Sequence, residues 1–269
     1  MPARLSHPAP SRTVRHSGIY TFDLSAVPWK DAGKQGLYHK LVRYDAETSL
    51  SLGMLAFDPL TRSGLHQHLG TACSFFVDGG LTDYQGSATI GEAGINIPGA
   101  THDAISYGRS VMITRLEGPV IYPPSDDGVH SLHAGAYQQE FVNQRPEVPA
   151  DIQVRVDAVP VVAVNRYVTR QMIFDYVPTG DRRRFVQLRL LPGARIPRHR
   201  LSGLVEWYVR AGEVMVGNER AVAGDFVILE PGIELSFTSN FGCCLLAWAE
   251  GSIEWVDDTS LGELYGFNF

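Results

Sequence analysis

The sequence predicts an all-β protein of two tandem domains, and three observations carry that prediction. Residues 55–118 align without a gap on residues 188–251, at a constant offset of 133. Apolar runs are short and bounded by glycine and proline, and no strong amphipathic helical pattern exceeds two turns. A length of 269 residues suits two domains of ordinary size.

The repeat is dense in turn-forming residues. Leu55, Pro59, Arg62, His66, Gly70, Gly79, Ala88, Gly91, Ile95, Pro98, Gly99, Ser106, Glu117 and Gly118 recur as Leu188, Pro192, Arg195, His199, Gly203, Gly212, Ala221, Gly224, Ile228, Pro231, Gly232, Ser239, Glu250 and Gly251. The period far exceeds the ~20–50 residues of a solenoid unit, so each copy is expected to hold its own core. Strands are expected at 49–57, 73–77, 110–116, 185–191, 205–209, 226–229 and 243–249, where β-branched and aromatic residues cluster between turn signals. Many short strands with Gly/Pro turns leave sandwiches, barrels and jelly rolls as the candidate architectures. The expected division is a flexible tail at 1–17, a first domain at 18–122, a linker at 123–150 rich in Asp, Gly, Gln, Asn and Pro, and a second domain at 151–269.

Composition bounds the function. Hydrophobic residues at 44% and charged residues at 19% are those of an ordinary globular protein, and a net charge of −6 gives no sequence-wide basic footprint, so nucleic acid is not an expected partner. Arg182, Arg183 and Arg184 read as a solvated strand start, with contact to a small anionic group as the sharper alternative. The apolar stretch 242–249 is far short of the ~20 residues of a membrane helix, so no membrane partner is expected. Residues 1–17 lack an apolar segment of signal-peptide length. Three cysteines, two of them adjacent at Cys243 and Cys244 in an apolar strand, fit packing in a reducing compartment, and the cytoplasm is the expected location.

The chemistry concentrates in the first copy. Gly64-Leu65-His66-Gln67-His68 places two imidazoles at i and i+2, which on a strand share a face, and His102 follows the turn Pro98-Gly99-Ala100-Thr101. Three imidazoles converging inside a barrel make a metal site. By the same alternation Gln67 points away, and Asp103 points away from His102 into a structural role. His130 and His133, three apart in the linker, read as exposed histidines because no other ligand pattern surrounds them.

Gly64, His66, His68, Gly79, Gly91, Pro98, Gly99 and His102, echoed in part by His199, Glu206, Gly212, Gly224, Pro231 and Gly232, resemble the two motifs of the cupin superfamily. The resemblance implies a bicupin, two double-stranded β-helix (jelly-roll) domains. The lead-in Trp29, Gly36, Lys40-Leu41, Asp45 and Leu55-Ala56-Phe57 is similar to the cupins grouped with ChrR-type anti-sigma factors and 2,4'-dihydroxyacetophenone dioxygenase.

This sequence departs from the pattern in both copies. The position five residues past the second histidine, where the family's glutamate is expected, holds Cys73 in the first copy and Glu206 in the second. Leu201 and Leu235 stand in the second copy where His68 and His102 stand in the first. Two ligands are too few for a metal site, so the second site is expected to be degenerate, with His199 and Glu206 hydrogen-bonded to each other. Cys73 permits three readings: a fourth ligand as thiolate, a neighbour that tunes the site, or a small apolar filler.

One divalent metal per chain is expected on His66, His68 and His102. Fe(II) is favoured and Zn(II) second, since three neutral imidazoles leave positions open for substrate and dioxygen. Phe75, which shares the face of Cys73, together with Tyr107 and Arg115 are the candidate pocket residues. The expected function is a non-haem Fe(II) dioxygenase acting on a small enolisable ketone, diketone or aromatic compound; the alternative is a zinc-binding sensor like the ChrR cupin. The family resemblance and the exposed edges of sheets imply a homodimer.

Overall fold

The computed structural model describes residues 18–122, 151–176, 183–256 and 263–266. These are strands joined by turns; a single 3-10 turn, Val156–Ala158, is the one helical element among the described residues. They form two units.

The first unit contains a seven-stranded antiparallel sheet. Its order is Asp151–Arg155, Glu92–Asn96, Ala72–Asp78, Ser110–Leu116, Leu50–Phe57, Leu37–Asp45, Lys30–Asp31. Two smaller sheets complete the unit: Thr101–His102, His66–His68 and Val120–Ile121 form one, and Thr61–Arg62, Ile105–Ser106, Gly80–Asp83 and Gly86–Thr89 form the other. Alternation sorts the side chains. Ala72, Ser74 and Phe76 face a cavity of about 390 Å³, whereas Cys73 and Phe75 lie on the other face of the same strand.

The second unit repeats the pattern in an eleven-stranded sheet centred on Val205–Val216, which bends at a register shift between Val209 and Ala211 and pairs with four other strands. The repeat is exact in hydrogen-bond register. His66 pairs with His102 as His199 pairs with Leu235, and Ser74 lies between Gly94 and Thr114 as Trp207 lies between Val227 and Ala247. Gly79 and Gly212 show why glycine recurs. Their φ angles are 63° and 75°, and a Cβ at either would collide with a backbone carbonyl, of Arg109 in one unit and Gly242 in the other.

The unit boundaries differ from those expected. Ile19–Asp23 pairs with Asp225–Leu229 and belongs to the second unit, while Asp151–Arg155 pairs with Glu92–Asn96 and belongs to the first. Both segments lie outside the repeat, so nothing in the sequence sets their register. The linker residues 123–150, with His130 and His133, and the tail 1–17 lie outside the described residues, as does Arg182. Arg183 and Arg184 do open a strand, but they are ion-paired, to Glu250 at 2.7 Å and Asp175 at 2.9 Å.

The two interiors are filled differently. In the second unit Leu188, Leu201, Val205, Trp207, Val227, Leu229, Leu235, Phe237 and Ala247 make one apolar core. Their counterparts at the offset of 133, Leu55, His68, Ala72, Ser74, Gly94, Asn96, His102, Ala104 and Thr114, line the cavity of the first unit. One interior is closed by aromatic and aliphatic side chains, and the other is hollow and partly polar.

Candidate metal centre

His66 and His68 stand on the central strand of the three-stranded sheet, and His102 stands opposite His66 on its neighbour. All three line the cavity. His66 Nε2 is 3.2 Å from His68 Nε2, which is in turn 3.2 Å from His102 Nε2. Three ligands on one face of a divalent ion, at bonds of about 2.1 Å, sit about 3.0 Å apart in octahedral and about 3.4 Å apart in tetrahedral geometry. The observed spacing falls between these values.

The rings are prepared for a metal. His66 Nδ1 donates to the Gly64 carbonyl at 2.7 Å, which puts the proton on Nδ1 and leaves the Nε2 lone pair aimed at the cluster. Burial, then the neighbouring His102, push the His66 pKa down to about 3. Burial and the two adjacent imidazoles hold His68 well below the ordinary histidine value. Neutral imidazoles that turn their lone pairs toward one another repel unless a cation lies between them.

Two carboxylates stand behind His102. Its Nδ1 is 3.4 Å from Asp83 Oδ2 and 3.8 Å from Asp151 Oδ1. Burial raises the Asp83 pKa, but His102 and the backbone amides of Gln85 and Gly86 outweigh it, so the carboxyl lies below its ordinary range. Asp151 accepts from Tyr84 Oη and Gln85 Nε2, each at 2.9 Å, and from the Asn96 amide. His102 Nδ1 itself is buried without a hydrogen-bond partner, so both carboxyl groups lie behind the ring whose Nε2 completes the triad without bonding to it. Asp83 and Asp151 were not singled out by sequence reasoning. Asp151 lies 49 residues past His102 and reaches it only because its strand joins the first unit.

The other expected residues fall elsewhere. His66, His68 and His102 form the one group of three potential ligands found among the described residues, and Cys73 is not part of it. Cys73, Phe75 and Arg115 are fully buried on the sheet face away from the cavity; Cys73 pairs with Arg115, and Arg115 is ion-paired to Glu117. Tyr107 is 65% exposed and does not line the cavity. For Phe75, and for Cys73 in its reading as a ligand, the difference is one of register: in a strand of period two, a slip of one residue exchanges the faces. The inward position beside the triad is Ala72, not Cys73. Gln67 and Asp103 turn away from the cavity as expected, Gln67 bonding to Gly99 O and Thr101 Oγ1, and Asp103 pairing with Arg62.

In the second unit His199 Nδ1 donates to Pro197 O at 2.8 Å, the counterpart of the Gly64 brace. Its Nε2 is buried without a hydrogen bond, with Phe237 and Trp255 as ring neighbours. The expected bond to Glu206 is therefore absent. Glu206 is buried, but alternation puts it on the opposite face of a strand whose Val205, Trp207 and Val209 fill the core. With leucines in place of the other two histidines, the second unit presents one imidazole where the first brings three together.

Comparison with known proteins agrees with the fold. Residues 18–121 match the family described as the ChrR cupin-like domain. No curated protein matches the chain by sequence. Among solved structures, a candidate dioxygenase from Nostoc punctiforme superposes with a TM-score of 0.70 at 12% identity, over 94% of this chain and 92% of that one. A candidate glyoxylate-induced protein from Pseudomonas aeruginosa gives 0.64 at 14% identity, over 91% and 93%. Oxalate decarboxylase from Bacillus subtilis gives 0.59 at 14% identity, over 93% and 80%. The family match covers residues 18–121, and the solved structures, at 12–14% identity, share the fold over more than nine tenths of the chain. Among the described residues no helix is long and apolar enough to cross a membrane.

Proposed function

We propose that the first unit is a non-haem, dioxygenase-type metal centre that acts with dioxygen on a small enolisable ketone, diketone or aromatic compound. The observation that carries this reading is the convergence of three imidazoles on a cavity of about 390 Å³, a volume within the range of small-molecule sites. A divalent ion, Fe(II) in this reading, would supply Lewis acidity and coordination positions for substrate oxygen and dioxygen.

The chain's own residues supply the rest. His66, His68 and His102 would hold the ion through Nε2, with Gly64 O fixing the tautomer of His66 and Asp83 Oδ2 facing the Nδ1 proton of His102. Leu37, Leu55, Phe57, Phe76 and Met112 give the cavity apolar walls that receive the body of a substrate and limit water. The sensor reading draws on the ChrR match, but the thiolate it needs to close the site belongs to Cys73, which lies on the far face of its strand.

The test is oxygen consumption by protein loaded anaerobically with Fe(II) and offered β-diketones, α-hydroxyketones and hydroxylated aromatics. Uptake with at least one class, abolished in His102→Ala, is expected. No uptake with any of them would overturn the assignment.

A further inference from the structure

The two units share one ladder and fill it differently, which singles out the residues that shape the ligand space. Across the large sheet of the first unit, Gly94, Ser74 and Thr114 lie side by side. The matching row in the second unit is Val227, Trp207 and Ala247. The Trp207 indole is fully buried, packs edge-on against Phe237 with ring centroids 4.9 Å apart, and donates from Nε1 to Tyr265 Oη at 3.1 Å. The counterpart of Phe237 is Ala104, which lines the cavity with Ser74, Gly94 and Thr114.

We infer that Ser74, Gly94 and Ala104 are the specificity-determining residues of the first unit, setting the size of the ligand body by leaving open the space that Trp207, Val227 and Phe237 fill in the second. A Cβ built on Gly94 meets no atom within 4 Å, so its side-chain direction opens into free volume and not into a packed wall. None of the three belongs to the histidine cluster, so the row shapes the space without holding the metal. That the ligand so measured is a substrate rests on the function proposed above; the measurement of cavity space does not.

Free indole, the group that the second unit itself places in this position, is the probe. Its binding to the full-length protein is measured by calorimetry, with and without metal, for wild type, Ser74→Trp, Gly94→Val and Ala104→Phe, alongside metal content and Tm. Wild type is expected to bind indole. Ser74→Trp and Ala104→Phe are expected to weaken binding more than tenfold and Gly94→Val several-fold, all with metal content unchanged. Gly94→Val, for which space is present, keeps the test valid if a bulkier variant fails to fold. No binding by wild type, or equal binding by the folded variants, would overturn the inference. Absence of metal from wild type would instead overturn the proposed function and leave the indole result to stand alone.

Discussion

At the residue scale, the account rests on imidazole nitrogens and what stands behind them. His66 and His68 sit where burial keeps them neutral, so they meet a cation without first losing a proton. Asp151→Asn keeps the shape of the side chain but removes its charge from behind His102, and is expected to weaken metal affinity about 10- to 100-fold, as read by competition with a chromogenic chelator. Cys73→Ala is expected to leave that affinity unchanged, because the thiol lies on the opposite face of its strand; a sharp loss would restore Cys73 as a ligand. The triad was legible in the sequence because i, i+2 spacing and a following turn define a common face without knowledge of the fold. Asp83 and Asp151 were not, since each reaches His102 through strand pairing that no local pattern encodes. Phe75 and Glu206 were placed on the wrong face, and of the three readings of Cys73 the small apolar filler is the one its face allows, because a strand's inward residues are fixed only once its register is known.

At the scale of elements, the same strands that build the site make it sensitive to acid. The metal-free fold holds His66 and His68 with pKa values below the ordinary 6.5, so an unfolded chain binds protons that the folded one refuses. Stability therefore falls as pH drops through 6.5 toward about 3, and is fully retained above 6.5. Thermal melts of metal-free protein between pH 7 and 4 are expected to show this fall, with a shallower slope in His66→Gln. An equal slope in that variant would mean that other groups govern the acid response. The repeat made most strands legible, from Leu50–Phe57 through Cys243–Glu250, because turn glycines mark their ends. The edge strands Ile19–Asp23 and Asp151–Arg155 escaped correct assignment because any sheet edge offers the same unpaired backbone groups.

At the scale of the whole molecule, one fold appears twice with opposite uses of its interior. The second unit buries Trp207, Phe237 and their neighbours, at about 1.5–3 kcal/mol for each large apolar side chain, while the first gives up that packing for a cavity. Calorimetry is expected to show the metal-free first unit melting before the second, with added metal raising only the earlier transition. A single transition unmoved by metal would contradict this division. The measurement that tests the central claim most directly is elemental analysis of anaerobically purified wild type, His66→Ala and His199→Ala. The account predicts about one metal ion per chain in wild type and in His199→Ala, and none in His66→Ala. Metal retained by His66→Ala, or lost from His199→Ala, would contradict it.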